Sequence, residues 1–227
     1  MECVYKASCE TSDYCSVYLI LEHKGSPTAK TDTMALKVVK RMLFTADNIR
    51  DGNDTLEDHN ELQGYRNVFE GKDPELTSSL LGIGKNKDLL ELIDTLNEEI
   101  SSIEKYGVSW QEYFNTLGNY GLRFFQTVTH VPDEQDIGAY GYAYVKFLTM
   151  RDSLNDLDED IISGAYNPLK GLGAEQMSEF GKELETLRIY LITQREDALK
   201  ETKVYSKVGF YGRNSWKGNG KGALVSQ

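Results

Sequence analysis

Proline is scarce in this chain: there are four in 227 residues, so little interrupts a long helix. Cysteine is nearly as rare. Cys3, Cys9 and Cys15 lie six residues apart near the start, a spacing unlike zinc ligation, and no histidine pair completes a site. An odd count with no signal peptide reads as free thiols in a reducing compartment. The three histidines, His23, His59 and His130, form no i, i+4 pair, which excludes a helical HExxH centre. They read as surface or capping residues. No run of about eighteen apolar residues occurs, so no helical membrane span is expected. The opening Met1-Glu2-Cys3-Val4-Tyr5 lacks the basic and apolar regions of a leader, and a soluble, intracellular chain is expected.

Positive charge is also in deficit. Lys and Arg number 25 against 36 Asp and Glu, a net charge of −11. That balance argues against generic nucleic-acid affinity and against docking on an anionic bilayer. Known catalytic signatures fail in the same way. Gly82-Ile83-Gly84-Lys85-Asn86 lacks the first glycine of a phosphate loop, where Ser79 stands, and its magnesium-binding hydroxyl. Asp156-Leu157-Asp158-Glu159-Asp160 begins like a calcium loop, but Ile161 replaces the glycine and Asn167 the bidentate glutamate. These acids, with Asp152, read as a solvated helical face. The stretch from Asp47 to Asp58 fails similarly at Ile49. No GxSxG elbow or dinucleotide fingerprint appears.

What the chain does have is helical periodicity. Leu89, Ile93, Leu96, Ile100 and Ile103 alternate spacings of four and three, while Asp94, Asn97, Glu98 and Glu99 face away. This predicts a helix from about Asn86 to Tyr106-Gly107. Ser109-Trp110-Gln111-Glu112 is a capping box opening a second helix with Trp110, Phe114, Leu117, Phe124, Phe125 and Val128. Gly118 and Gly121 weaken that helix, and their small size permits a close neighbour. Pro132-Asp133-Glu134 starts a third helix, carrying Ile137, Tyr140, Tyr144, Phe147, Leu148, Leu154, Leu157 and Ile161. After a loop over Gly164–Gly173, a helix from about Ala174 to Lys203 places Met177, Phe180, Leu184, Leu187 and Leu191 on one face.

Upstream, a helix capped near Thr31–Thr33 is predicted to run to about Asp51. Its apolar positions are Ala35, Val38, Val39, Met42, Ala46 and Ile49, interleaved with Lys37, Lys40 and Arg41. Leu62, Tyr65 and Phe69 form a weaker face that Gly64 breaks, and Asp73-Pro74 starts a short helix ending near Gly82 or Gly84. Residues 1 to 24 form an irregular N-terminal segment, in which Val17–Leu21 suits a buried strand or a buried helix turn equally.

The expected fold class is therefore all-α: a multi-helix bundle spanning 1–205 as one domain, followed by an extended arm at 206–227. That arm has five glycines, the cations Lys207, Arg213, Lys217 and Lys221, and no acid. With −11 overall and +4 in the arm, the remainder carries −15. No helix survives such glycine density. Phe210, Tyr211, Arg213, Trp216 and Lys217 are its candidate partner-binding residues, aromatic anchors beside positive charge.

Ser109–Phe114 before one helix and Ala143–Leu148 in the next resemble the nitrate- and nitrite-sensing (NIT-type) all-helical domains of bacterial receptors. Ile20-Leu21-Glu22-His23-Lys24-Gly25 stands where that family has a motif resembling LQRERG, and Arg151-Asp152 where it has KE. The resemblance implies a helical bundle holding a small anion through arginines. Asp158 occupies the place of an anion-binding arginine, and an aspartate repels nitrate.

Three functions follow as expectations. The first is a non-enzymatic interaction protein, a structural subunit of an assembly, docking through its arm on a protein partner or on copies of itself, with no cofactor. The second is a small-ligand helical sensor with Arg50, Arg66 or Arg123 lining a pocket. The third is a hydrolase or metal enzyme using clustered carboxylates.

Overall fold

The computed structural model describes residues 12–50, 55–70, 72 and 86–201. Among them are seven helices and no strand: α1 (Ser12–His23), α2 (Ala29–Arg50), α3 (Leu56–Phe69), α4 (Asn86–Tyr106), α5 (Trp110–Val128), α6 (Glu134–Ser163) and α7 (Ala174–Glu201). The expected all-α class is thereby established for the described residues. No helix among them is long and apolar enough to cross a membrane.

The stripe on α4 is buried along its whole length, from Leu89 and Ile93 at 0% exposure to Ile103 at 8%. Each such burial contributes about 1.5–3 kcal/mol. The helix stops at Gly107, whose φ of +75° favours glycine and whose N–H bonds the Ile103 carbonyl at 2.7 Å. Ser109 then caps α5, its Oγ accepting from the Glu112 N–H at 3.2 Å. Asp133 caps α6 in the same way, accepting from the Asp136 N–H at 2.9 Å, and Gly164 closes α6 at φ +80°.

α5 and α6 make the most extensive helix contact in the fold. Gly121 is the reason: a Cβ there would lie 2.5 Å from the Gly141 carbonyl oxygen, and a Cβ on Gly141 would lie 2.6 Å from that of Gly121. The large core joins α1, α2, α4, α5, α6 and α7. A second, aromatic cluster gathers Trp110, Phe114, Met150, Leu169 and Phe180, with Trp110 and Phe180 edge to face at 5.6 Å.

Several expectations change. Residues 12–23 are helix rather than irregular, and the apolar run buries Val17, Ile20 and Leu21 in helical register. α2 begins at Ala29, so Thr33 is no cap; its hydroxyl donates to the Ala29 carbonyl at 2.7 Å within the helix. The carbonyl of Thr28 accepts from the Asp32 N–H instead. Gly64 does not break α3, because its position is exposed and open. Of the apolar residues that α6 carries, Leu154 and Ile161 are 40% and 49% exposed. Among the described residues nothing covers them as fully as Ile137, Tyr140 and Phe147 are covered earlier in the helix. The segment from Asp73 to Gly84, Cys3 and Cys9, and the arm at 206–227 lie outside the described residues.

Candidate functional site

A groove of about 620 Å³ opens between α2 and α3. Its apolar wall is Met34, Val38, Phe44 and the ring of Tyr65; its cations are Lys37, Lys40 and Arg41. α2 builds it because two stripes run along one helix. Ala35, Val39 and Met42 face the core, whereas Met34, Lys37, Arg41 and Phe44 recur every three or four residues on the open side. Met34 remains 36% and Phe44 47% exposed.

Two of the lining residues, Arg41 and Tyr65, share a partner in Glu61. Arg41 donates to it through Nε and Nη2, each at 3.0 Å, and the Tyr65 hydroxyl donates at 2.7 Å. Burial and then Glu61 push the Tyr65 phenol upward, so it stays a neutral donor. Lys40 lies 5.3 Å from the centroid of the Phe44 ring, a cation–π contact. Chemically, the groove offers apolar area rimmed by positive charge, which suits a surface with apolar and acidic groups. The sequence showed Lys37, Lys40 and Arg41 but gave no reason to single out Met34 and Phe44. Their spacing opposite the core stripe was the available signal.

The arginines expected of a sensor are placed as follows. Arg66 makes a two-pronged pair with Asp94 at 2.6 and 2.7 Å, tying α3 to α4, and the carboxylate raises its pKa. Arg123 is exposed, 5.7 Å from the ring of Tyr120. Neither lines the groove. Arg50 closes α2, and its side chain is outside the described residues, as are Phe210, Tyr211, Arg213, Trp216 and Lys217.

Two polar clusters were not apparent from sequence. Asp32, 1% exposed, accepts from the hydroxyls of Ser26 (2.6 Å) and Thr28 (3.0 Å), from the His130 backbone N–H (3.0 Å) and from His130 Nδ1 (2.9 Å). A carboxylate only accepts, so Nδ1 carries the proton. Ser26 bonds the carboxylate, and the Thr28 hydroxyl lies 3.0 Å from the same Nδ1 that faces Asp32, so no hydroxyl here meets the opposite ring nitrogen as in a nucleophile relay. The cluster instead ties the α1–α2 turn to the α5–α6 turn. Next to it, Lys24 pairs with Asp136. In the second cluster buried Lys146 joins α6 to α5 through Asn115 and to α7 through Glu183. Both depend on partners far apart in sequence.

The acidic run ends α6. Asp158 and Glu159 are exposed beside Leu154, Ile161 and Ile162, the last 87% exposed. Asp156 is held above the ordinary carboxylate range by desolvation, then by Asp160, Asp152 and Glu159. Asp160 also accepts from Asn167 Nδ2 at 2.7 Å, and Asn167 takes the backbone N–H of Leu169 at 2.9 Å, so it braces the following loop. Among the described residues no three His, Cys, Asp or Glu side chains converge as metal ligands would. Comparison of the chain with protein-family models, curated proteins and solved structures returns no match.

Proposed function

We propose that this chain is a non-enzymatic helical interaction protein, a structural subunit of a larger assembly that docks through its arm at 206–227. The groove on α2 is the observation that supports this reading. It leaves Phe44 47% and Met34 36% exposed among three cations, in a chain of net charge −11. Exposed apolar area rimmed by polar groups is how a protein contact surface is built. The arm adds Phe210, Tyr211 and Trp216 with four cations and no acid. Aromatic anchors supply burial that surface charge alone cannot.

Native mass by light scattering, with and without residues 206–227, tests the reading. The full chain is expected above its monomer mass of 25.7 kDa, and the truncated chain at a lower mass with unchanged helicity by circular dichroism. Equal masses for both would overturn docking through the arm.

A further inference from the structure

The end of α6 and the groove on α2 are complementary in pattern as well as in charge. On α6, Leu154, Asp158, Ile161 and Ile162 are spaced to fall on one helical face, with Glu159 beside it. Leu154, Ile161 and Ile162 are 40%, 49% and 87% exposed, so the described residues leave this face open. On α2, Met34, Lys37, Arg41 and Phe44 repeat the same three-and-four spacing with cations where α6 has acids. A helical face of this kind docks in a groove through i, i+3, i+4 and i+7 anchors. The acids of α6 also repel one another, which is part of why Asp156 is held above its ordinary range. Cations brought alongside would relieve that repulsion.

The geometry points to head-to-tail self-association, in which the α2–α3 groove of one copy receives the C-terminal end of α6 from a second copy. Leu154, Ile161 and Ile162 would cover Met34, Val38 and Phe44. Asp158 and Glu159 would come alongside the cationic rim that Lys37, Lys40 and Arg41 form, Arg41 retaining its pair with Glu61. Each copy carries one groove and one helix end, so the contact is heterologous and extends into a chain or closes into a ring. This inference rests on the assembly reading above and adds to the arm a second contact with a defined partner surface.

Two charge-reversed full-length proteins test it: Lys37→Glu with Lys40→Glu, and Asp158→Lys with Glu159→Lys. Mass is followed by light scattering across a concentration series, and helicity by circular dichroism. The unaltered chain is expected to at least double its mass as concentration rises. Each variant alone, its groove and helix end now of like sign, is expected to show a much smaller rise. An equimolar mixture is expected to regain the lost mass, because each variant then meets an opposite partner. A variant that merely misfolds would not be rescued in this way. Variants that associate like the unaltered chain, or folded variants whose mixture gains nothing, would overturn the inference. If removing 206–227 lowers the mass while both reversals leave it unchanged, the groove contact falls and the arm-based reading stands. A chain that is monomeric at every concentration removes both.

Discussion

At the hydroxyl of Tyr120, burial and a carboxylate act in the same direction. The residue is 5% exposed and donates to Glu99 at 2.7 Å. Desolvation first, then the hydrogen bond to and the charge of Glu99, push its pKa from 10.0 to about 12, with Arg123 opposing. The fold therefore keeps the neutral phenol. Between pH 10 and about 12 the unfolded chain gives up a proton that the folded chain retains, so stability falls as pH rises through that window. Tyr120→Phe is expected to cost about 0.5–1.5 kcal/mol at neutral pH and to flatten the alkaline loss. Urea melts from pH 7 to 11 check both. Leu96, 4% exposed in the middle of the α4 stripe, is a purely apolar case. Leu96→Ala is expected to cost about 2–5 kcal/mol through lost burial and a residual cavity. A melt showing no loss would remove the stripe from the core.

The α5–α6 pair sets the rules at the scale of elements. A glycine inside a helix costs about 1 kcal/mol relative to alanine, so its presence needs a reason. At Gly121 the reason is the Gly141 backbone carbonyl, which cannot swing aside from a Cβ placed 2.5 Å away. Gly181 in α7 has no neighbour within 4 Å. Gly121→Ala is therefore expected to destabilise by about 1–3 kcal/mol, the range for forcing extra volume into a packed contact. Gly181→Ala is expected to stabilise by up to about 1 kcal/mol. Opposite signs in parallel denaturation curves are the outcome to look for, and two stabilising changes would refute the close approach. The same scale explains the far end of α6. That helix packs on α5 and α7 and buries Ile137, Tyr140, Phe147 and Met150, whereas the described residues leave Leu154 and Ile161 40% and 49% exposed.

For the whole molecule, the governing quantity is the uneven placement of charge. The chain carries −11, yet its groove is lined by Lys37, Lys40 and Arg41, and its last residues carry only cations. Contacts built on such placement respond to salt, since the screening length at 0.1 M is about 10 Å. Apolar burial is not screened. On the proposed association, added salt is therefore expected to lower the native mass less than removal of residues 206–227 does. A light-scattering salt titration of both proteins decides this.

Features settled within one turn of chain are legible in the sequence itself. Ser109 caps α5, Gly107 ends α4 and the Leu89–Ile103 stripe is buried, because helix caps and helical periodicity depend on neighbours three and four residues away. The all-α class follows from the same local rules. Where a local signal was divided, tertiary contact decided: Val17–Leu21 is a helix, and the start of α2 moves to Ala29, where Asp32 is enclosed by Ser26, Thr28 and His130. The Asp32–His130 and Lys146–Glu183 contacts join residues far apart in the chain, and no spacing rule announces them. The groove was half legible. Lys37, Lys40 and Arg41 stood out as cations, but the exposure of Phe44 and Ile161 depends on which neighbouring helices reach them. A sequence fixes how apolar a side chain is; only packing decides whether something covers it.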